Sequence, residues 1–137
     1  ADAQHIAAEL IGRYKMERDS IPAISFTTDT SVLTSLSNDY SFDKIFSRQC
    51  DALVNRGDVV IAISTSGKSK NVVNGLTSAK KKEAKTIGLL GKKGGDMVDL
   101  VTIPIIVDSS STARIQEVHR VIYHIICELV EQKLSTK

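Results

Sequence analysis

Short runs of branched apolar residues alternate along this chain with stretches of helical periodicity, and that alternation restricts the fold more than any other feature. PAISF at 22–26, DVVIAIS at 58–64, KTIGLL at 85–90 and VTIPIIV at 101–107 are continuous apolar runs of strand length. Strands of a parallel sheet read this way because helices cover both of their faces. Between them SVLTSLSND at 31–39, FDKIFSRQCDALV at 42–54 and SKNVVNGLTSAKKK at 69–82 carry apolar residues at helical spacing, and a short turn is expected around 96–100. Helical segments also lie at the two ends, DAQHIAAEL at 2–10 and RIQEVHRVIYHIICEL at 114–129. This order predicts an α/β fold on a parallel sheet with right-handed crossovers. With no repeat, low-complexity tract or long linker, residues 1–137 are expected to form one domain.

Composition narrows the function classes. A hydrophobic content of 42% is enough for a single core. No stretch approaches the ~20 apolar residues of a membrane span and no signal peptide is visible, so a soluble cytoplasmic protein with no membrane partner is expected. A net charge of +2 is too small to argue for nucleic acid. The densest basic run, Lys80 to Lys82 with Lys85, reads as a solvated helix end before a strand. Cys50 and Cys127 lie far apart in apolar helical contexts and read as buried free thiols.

Polar groups inside the two terminal helices need a reason to be there, because an unpartnered buried polar group costs about 1–3 kcal/mol. His5 and Glu9 stand at i and i+4, on one face and one turn apart, which suits a shared metal ion or substrate. The last helix likewise places imidazole, carboxamide and carboxylate groups inside an apolar stretch. His119, on a different part of that helix surface from His124, reads as a hydrogen-bonded structural histidine.

The turn after the second apolar run, ISTSGKSKNVV at 63–73, is the strongest local motif. Ser64, Thr65, Ser66 and Gly67 end the strand and Ser69 opens the next helix. Hydroxyls, backbone amides and the positive helix end converge at the carboxyl edge of the sheet, an anion cradle suited to phosphate. The order fits neither a nucleotide P-loop nor a dinucleotide GxGxxG turn. Lys68 reads as solvated and Asp29, in TTDTS, as a helix cap.

DAQHIAAELIGRY, SNDYSFDKIFSRQ, GDVVIAISTSGKSKNVV, KTIGLLGKKGGDM and ARIQEVHRVIYHIICELVE together resemble, in order and spacing, the sugar isomerase (SIS) domain family. Within it they are most similar to the branch that converts sedoheptulose 7-phosphate to D-glycero-D-manno-heptose 7-phosphate in bacterial heptose synthesis. The resemblance implies a three-layer αβα sandwich of doubly wound, flavodoxin-like SIS architecture and a homotetramer. It implies zinc held by His5, Glu9, Gln116 and His124. It also implies phosphate contacts from Ser64, Thr65, Ser66 and Ser69, and substrate contacts from Asn38, Asp39, Glu9 and Gln116. It further leads to the expectation that an Asn-Gly-Gly-Ser loop, a first strand and a long helix precede Ala1.

An aldose–ketose interconversion moves a proton between adjacent carbons through an enediol or enediolate, and Glu9 and His124 are the candidates for general base and general acid. Imidazole with carboxylate and amide oxygen is compatible with zinc beside the substrate oxygens. Gln116 and His124 are eight residues apart, about 12 Å of rise and ~80° of rotation on one helix. Either the two side chains lean toward each other, or a neighbouring subunit supplies one ligand, and the tetramer that the resemblance implies favours the second. Two other readings share the fold: a non-catalytic SIS-domain adaptor that binds a replication initiator, and an isomerase of another phosphosugar. The presence of His5, Glu9, Gln116 and His124 together favours the enzyme over the adaptor.

Overall fold

The computed structural model describes residues 1–135. Helix α1 (Asp2–Ile11) is followed by α2 (Thr30–Asp39), a 3-10 turn at Phe42–Lys44, α3 (Ile45–Leu53), β1 (Val59–Ser64), α4 (Lys70–Lys81) and β2 (Lys85–Gly91). A 3-10 turn at Gly95–Met97, β3 (Ile103–Val107) and α5 (Thr112–Ser135) complete the described residues. The strands pair in parallel in the order β1-β2-β3, with Val59 opposite Lys85 through Ser64 opposite Leu90, and Ile87 opposite Ile103 through Gly91 opposite Val107.

Side chains alternate across the pleat, so each strand feeds two cores. On one face Val60 packs against Cys50, Val54, Ala79 and Ala84 from the α3 and α4 region. Ala62 and Leu90 on the same face meet Leu76 of α4 and Met97. On the other face Ile61, Ile63, Leu89 and Ile105 pack with Ile6 of α1 and Tyr123 of α5. Helices therefore cover both faces of the parallel sheet, as the continuous apolar runs predict. Both cysteines are free and buried, and burial pushes the Cys50 thiol to about 11 and the Cys127 thiol upward.

The first apolar run departs from expectation. Residues 22–26 form no ladder among the described residues, although PAISF has the composition of a strand. A strand needs a neighbour for its N–H and C=O groups, and β2 occupies the one paired edge of β1. Local hydrogen bonds take over instead. The Ser25 and Thr27 hydroxyls lie 2.8 Å apart, Thr28 Oγ1 donates to the Ser25 carbonyl at 2.9 Å, and Gln49 Nε2 donates to the Phe26 carbonyl at 3.1 Å. The chain then turns into α2, where the Asp29 carboxylate accepts from the Val32 N–H at 2.9 Å as an N-cap.

Candidate active site

Helices α1 and α5 lie side by side on one face of the sheet and bring His5, Glu9 and His124 together. The burial of Ile6 and Ala7 fixes the rotation of α1, and that of Tyr123 and Cys127 fixes α5. His5, Glu9 and His124 then emerge at the rim of the helix pair, only partly covered. His5 Nε2 lies 3.0 Å from Glu9 Oε1, and His124 Nε2 lies 3.4 Å from His5 Nε2. One ligand atom of each residue falls within 4.8 Å of the others. Each of these atoms can act as a ligand, and their spacing is one that a shared cation can bridge. Two imidazole nitrogens and one carboxylate oxygen suit zinc, and three protein ligands leave a position open to substrate. Gln116 is exposed on α5, about 12 Å of helical rise before His124. Within one chain His5, Glu9 and His124 are assembled.

The hydroxyl-rich turn sits where β1 hands over to α4. Ser64 is buried, its Oγ accepts from the Gly67 N–H at 3.1 Å, and it lies 3.3 Å from Ser69 Oγ. Ser66 Oγ accepts from the Lys68 N–H at 3.2 Å. Ser69 stands at the N-cap of α4 without capping it through its side chain, and although the Val72 N–H donates to Asn71 Oδ1 at 2.9 Å, the positive end of the helix faces the turn. Simple capping therefore does not account for this serine. Gly67 has φ +65°, and a Cβ there would come within 2.0 Å of the Gly94 carbonyl oxygen. The turn is thus pressed against the loop after β2 in a conformation that excludes other residues. Thr65 is partly buried beside it, and Lys68 is exposed. Asn38 and Asp39 are exposed at the carboxyl end of α2, where Asn38 Nδ2 donates to Asp39 Oδ1 at 3.0 Å.

His119 is fully buried, and its Nε2 donates to the Leu90 carbonyl at 3.0 Å. It ties α5 to β2, as its place on the helix surface suggests. Three groups around the trio escape a reading of sequence alone. The Tyr14 ring stacks on His124 at 5.6 Å between centroids, and Tyr123 meets His5 and His124 edge-on at 5.4 and 4.9 Å. The third is a buried clamp. Glu131 of α5 accepts the backbone N–H groups of Tyr14, Lys15 and Met16 at 2.8, 2.7 and 2.9 Å, with Arg18 Nε 3.2 Å away. The one available signal was a carboxylate on the apolar face of α5, seven positions after His124.

Known proteins resemble the chain throughout. The SIS domain family matches residues 1–91. A phosphoheptose isomerase from Geobacter sulfurreducens is 54% identical over 134 residues, covering 98% of this chain and 71% of that protein. One from Nitratiruptor is 56% identical over 132 residues, covering 96% and 71% respectively. The solved phosphoheptose isomerase of Neisseria gonorrhoeae superposes with a TM-score of 0.89 at 40% identity, over 96% of this chain and 70% of that one. That of Francisella tularensis superposes with a TM-score of 0.90 at 36% identity, over 94% and 69%. With the parallel sheet, the covering helices and the serine-rich turn in place, these likenesses show that the chain belongs to the SIS domain family and, within it, to the phosphoheptose isomerases.

Proposed function

We propose that this chain interconverts sedoheptulose 7-phosphate and D-glycero-D-manno-heptose 7-phosphate in the cytoplasm, as an early step of bacterial heptose and lipopolysaccharide synthesis. The observation that carries the reading is the convergence of His5, Glu9 and His124 within 4.8 Å on two helices that are far apart in sequence. The names of the relatives support the substrate class. His5, Glu9 and His124 would hold zinc, with Gln116 as a further ligand if a neighbouring subunit supplies it. When bound, the ion supplies electrostatic stabilisation of the negative charge that develops on the substrate oxygens.

This chain's own groups do the rest. Ser64, Thr65, Ser66 and Ser69 grip the phosphate, so that binding energy remote from the reaction holds the reacting carbons in place. Asn38 and Asp39 bind sugar hydroxyls. Glu9 takes the proton from C1 of the ketose while the C1–C2 double bond forms and the C2 oxygen gains a proton from His124. The resulting enediol loses the O1 proton as C2 is reprotonated, which leaves the aldose. No redox partner is needed, because the hydrogen gained at one carbon is lost at its neighbour.

Turnover tests the whole reading. Full-length protein is expected to convert sedoheptulose 7-phosphate to the aldose, to lose that activity on chelation and to regain it with zinc. A folded, zinc-loaded protein that turns over no phosphorylated ketose would sink it and favour the adaptor.

An oligomer is part of the proposal. Val118, Val121, Ile125 and Leu129 are 41%, 58%, 50% and 59% exposed along α5, a helical apolar stripe of the kind that marks an interface. Sedimentation velocity of the full-length protein at micromolar concentration is expected to give a tetramer, and a monomer there contradicts the assignment.

A further inference from the structure

We propose that the Tyr123 hydroxyl is a positioning group for His5, linking the Asp2 carboxylate to the far nitrogen of that imidazole so that Nδ1–H has a buried acceptor when Nε2 serves as a ligand beside Glu9 and His124. The inference rests on the reading of the trio as a metal site and goes beyond it to the groups that prepare the site.

Tyr123 is 1% exposed. Its hydroxyl lies 3.2 Å from His5 Nδ1 and donates to Asp2 Oδ1 at 3.5 Å, while Arg120 Nη2 stands 3.8 Å from the same Asp2 oxygen. A phenol has one proton to give. An ionised carboxylate can only accept, so without a cation His5 Nε2 donates to Glu9 Oε1 at 3.0 Å. A hydroxyl proton turned to Asp2 leaves the phenol oxygen to accept from Nδ1 once Nε2 is freed for a ligand role. When Nε2 is given to a cation, the proton of the neutral ring resides on Nδ1 and has the phenol oxygen as its acceptor, 3.2 Å away. In that tautomer Nε2 presents its lone pair beside the ligand atoms of Glu9 and His124, 3.0 and 3.4 Å away. Histidine ligands are oriented in this way when a carboxylate accepts their second N–H, and here a buried hydroxyl carries the same constraint one group further. The geometry follows from adjacency on α5. Tyr123 and His124 are about 100° apart around the helix, so Tyr123 enters the core against α1 while His124 stays at the rim.

Tyr123→Phe removes one oxygen and keeps the ring that packs on His5 and His124. In the full-length protein, zinc affinity measured by competition with a chromophoric chelator is expected to fall about 10- to 100-fold. The melting temperature of the metal-free protein should change by only a few degrees. Asp2→Ala, on the first turn of α1, is expected to weaken zinc in the same direction by a smaller factor, because the freed phenol proton can then turn toward Nδ1. This second variant decides the matter if Tyr123→Phe fails to fold. Unchanged zinc affinity in the variants, with the parent protein binding zinc tightly, overturns the relay alone. A parent protein that binds no zinc overturns the metal site and the relay with it. Equal losses of affinity and of metal-free stability would mark Tyr123 as packing only, and also overturn the proposal.

Discussion

Glutamine in place of Glu9 is expected to lower kcat for the proposed isomerisation by about 10²- to 10⁴-fold, the range over which a positioned general base contributes. The substitution preserves shape and removes both the charge and the basic oxygen 3.0 Å from His5 Nε2. Two effects should separate in the measurement. Weaker metal binding appears as activity that excess zinc restores, whereas loss of the base persists at saturating zinc. KM should move little, because the phosphate-gripping serines at 64–69 are untouched. Steady-state kinetics with and without added zinc read both effects. A Glu9→Gln enzyme within a few fold of the parent would show that another group takes the proton.

The largest effect on stability is expected at Glu131. Alanine there leaves the N–H groups of Tyr14, Lys15 and Met16 without their acceptor and the buried Arg18 guanidinium without its counter-ion. Arg18 is itself a cap: Nη1 donates to the carbonyls of Leu10, Gly12 and Asp19 at 2.9, 3.2 and 2.9 Å, and Nη2 to that of Glu9 at 2.8 Å. The clamp therefore closes the carboxyl end of α1, the helix that presents His5 and Glu9, and ties it to α5. Removing one partner of such a buried pair is among the most damaging substitutions known. The melting temperature of Glu131→Ala should drop by about 10 °C or more, or the protein should fail to accumulate folded.

The same group predicts a pH dependence. Burial alone would push the Glu131 carboxyl up, but the N–H groups of Lys15, Met16 and Tyr14 and the charge of Arg18 outweigh it and lower it from 4.5 to about 2. A depressed carboxylate stabilises the folded state above its unfolded value. That contribution is intact above pH 4.5 and fades as pH falls toward 2. Urea unfolding between pH 2 and 6 should show a steeper loss of stability in the parent than in Glu131→Gln. Parallel curves would remove the clamp from the account.

Periodicity along the chain was enough to place β1, β2 and β3, helices α2 to α4 and the two helices at the ends, because each pattern reports burial of one local face. The i, i+4 spacing of His5 and Glu9 and the hydroxyl run at 64–69 were legible for the same reason: neighbours in sequence are neighbours on a helix turn or in a tight loop. Residues 22–26 had the composition of a strand, but pairing is decided by whether another backbone lies alongside, and composition carries no record of that. The approach of His124 to His5, the Asp2–Tyr123–His5 relay and the Glu131 clamp join groups more than a hundred positions apart. Only the packing of α1 beside α5 on a shared sheet face brings them within hydrogen-bonding reach. Local pattern determined the elements and the chemical types available, and tertiary packing chose which of them meet.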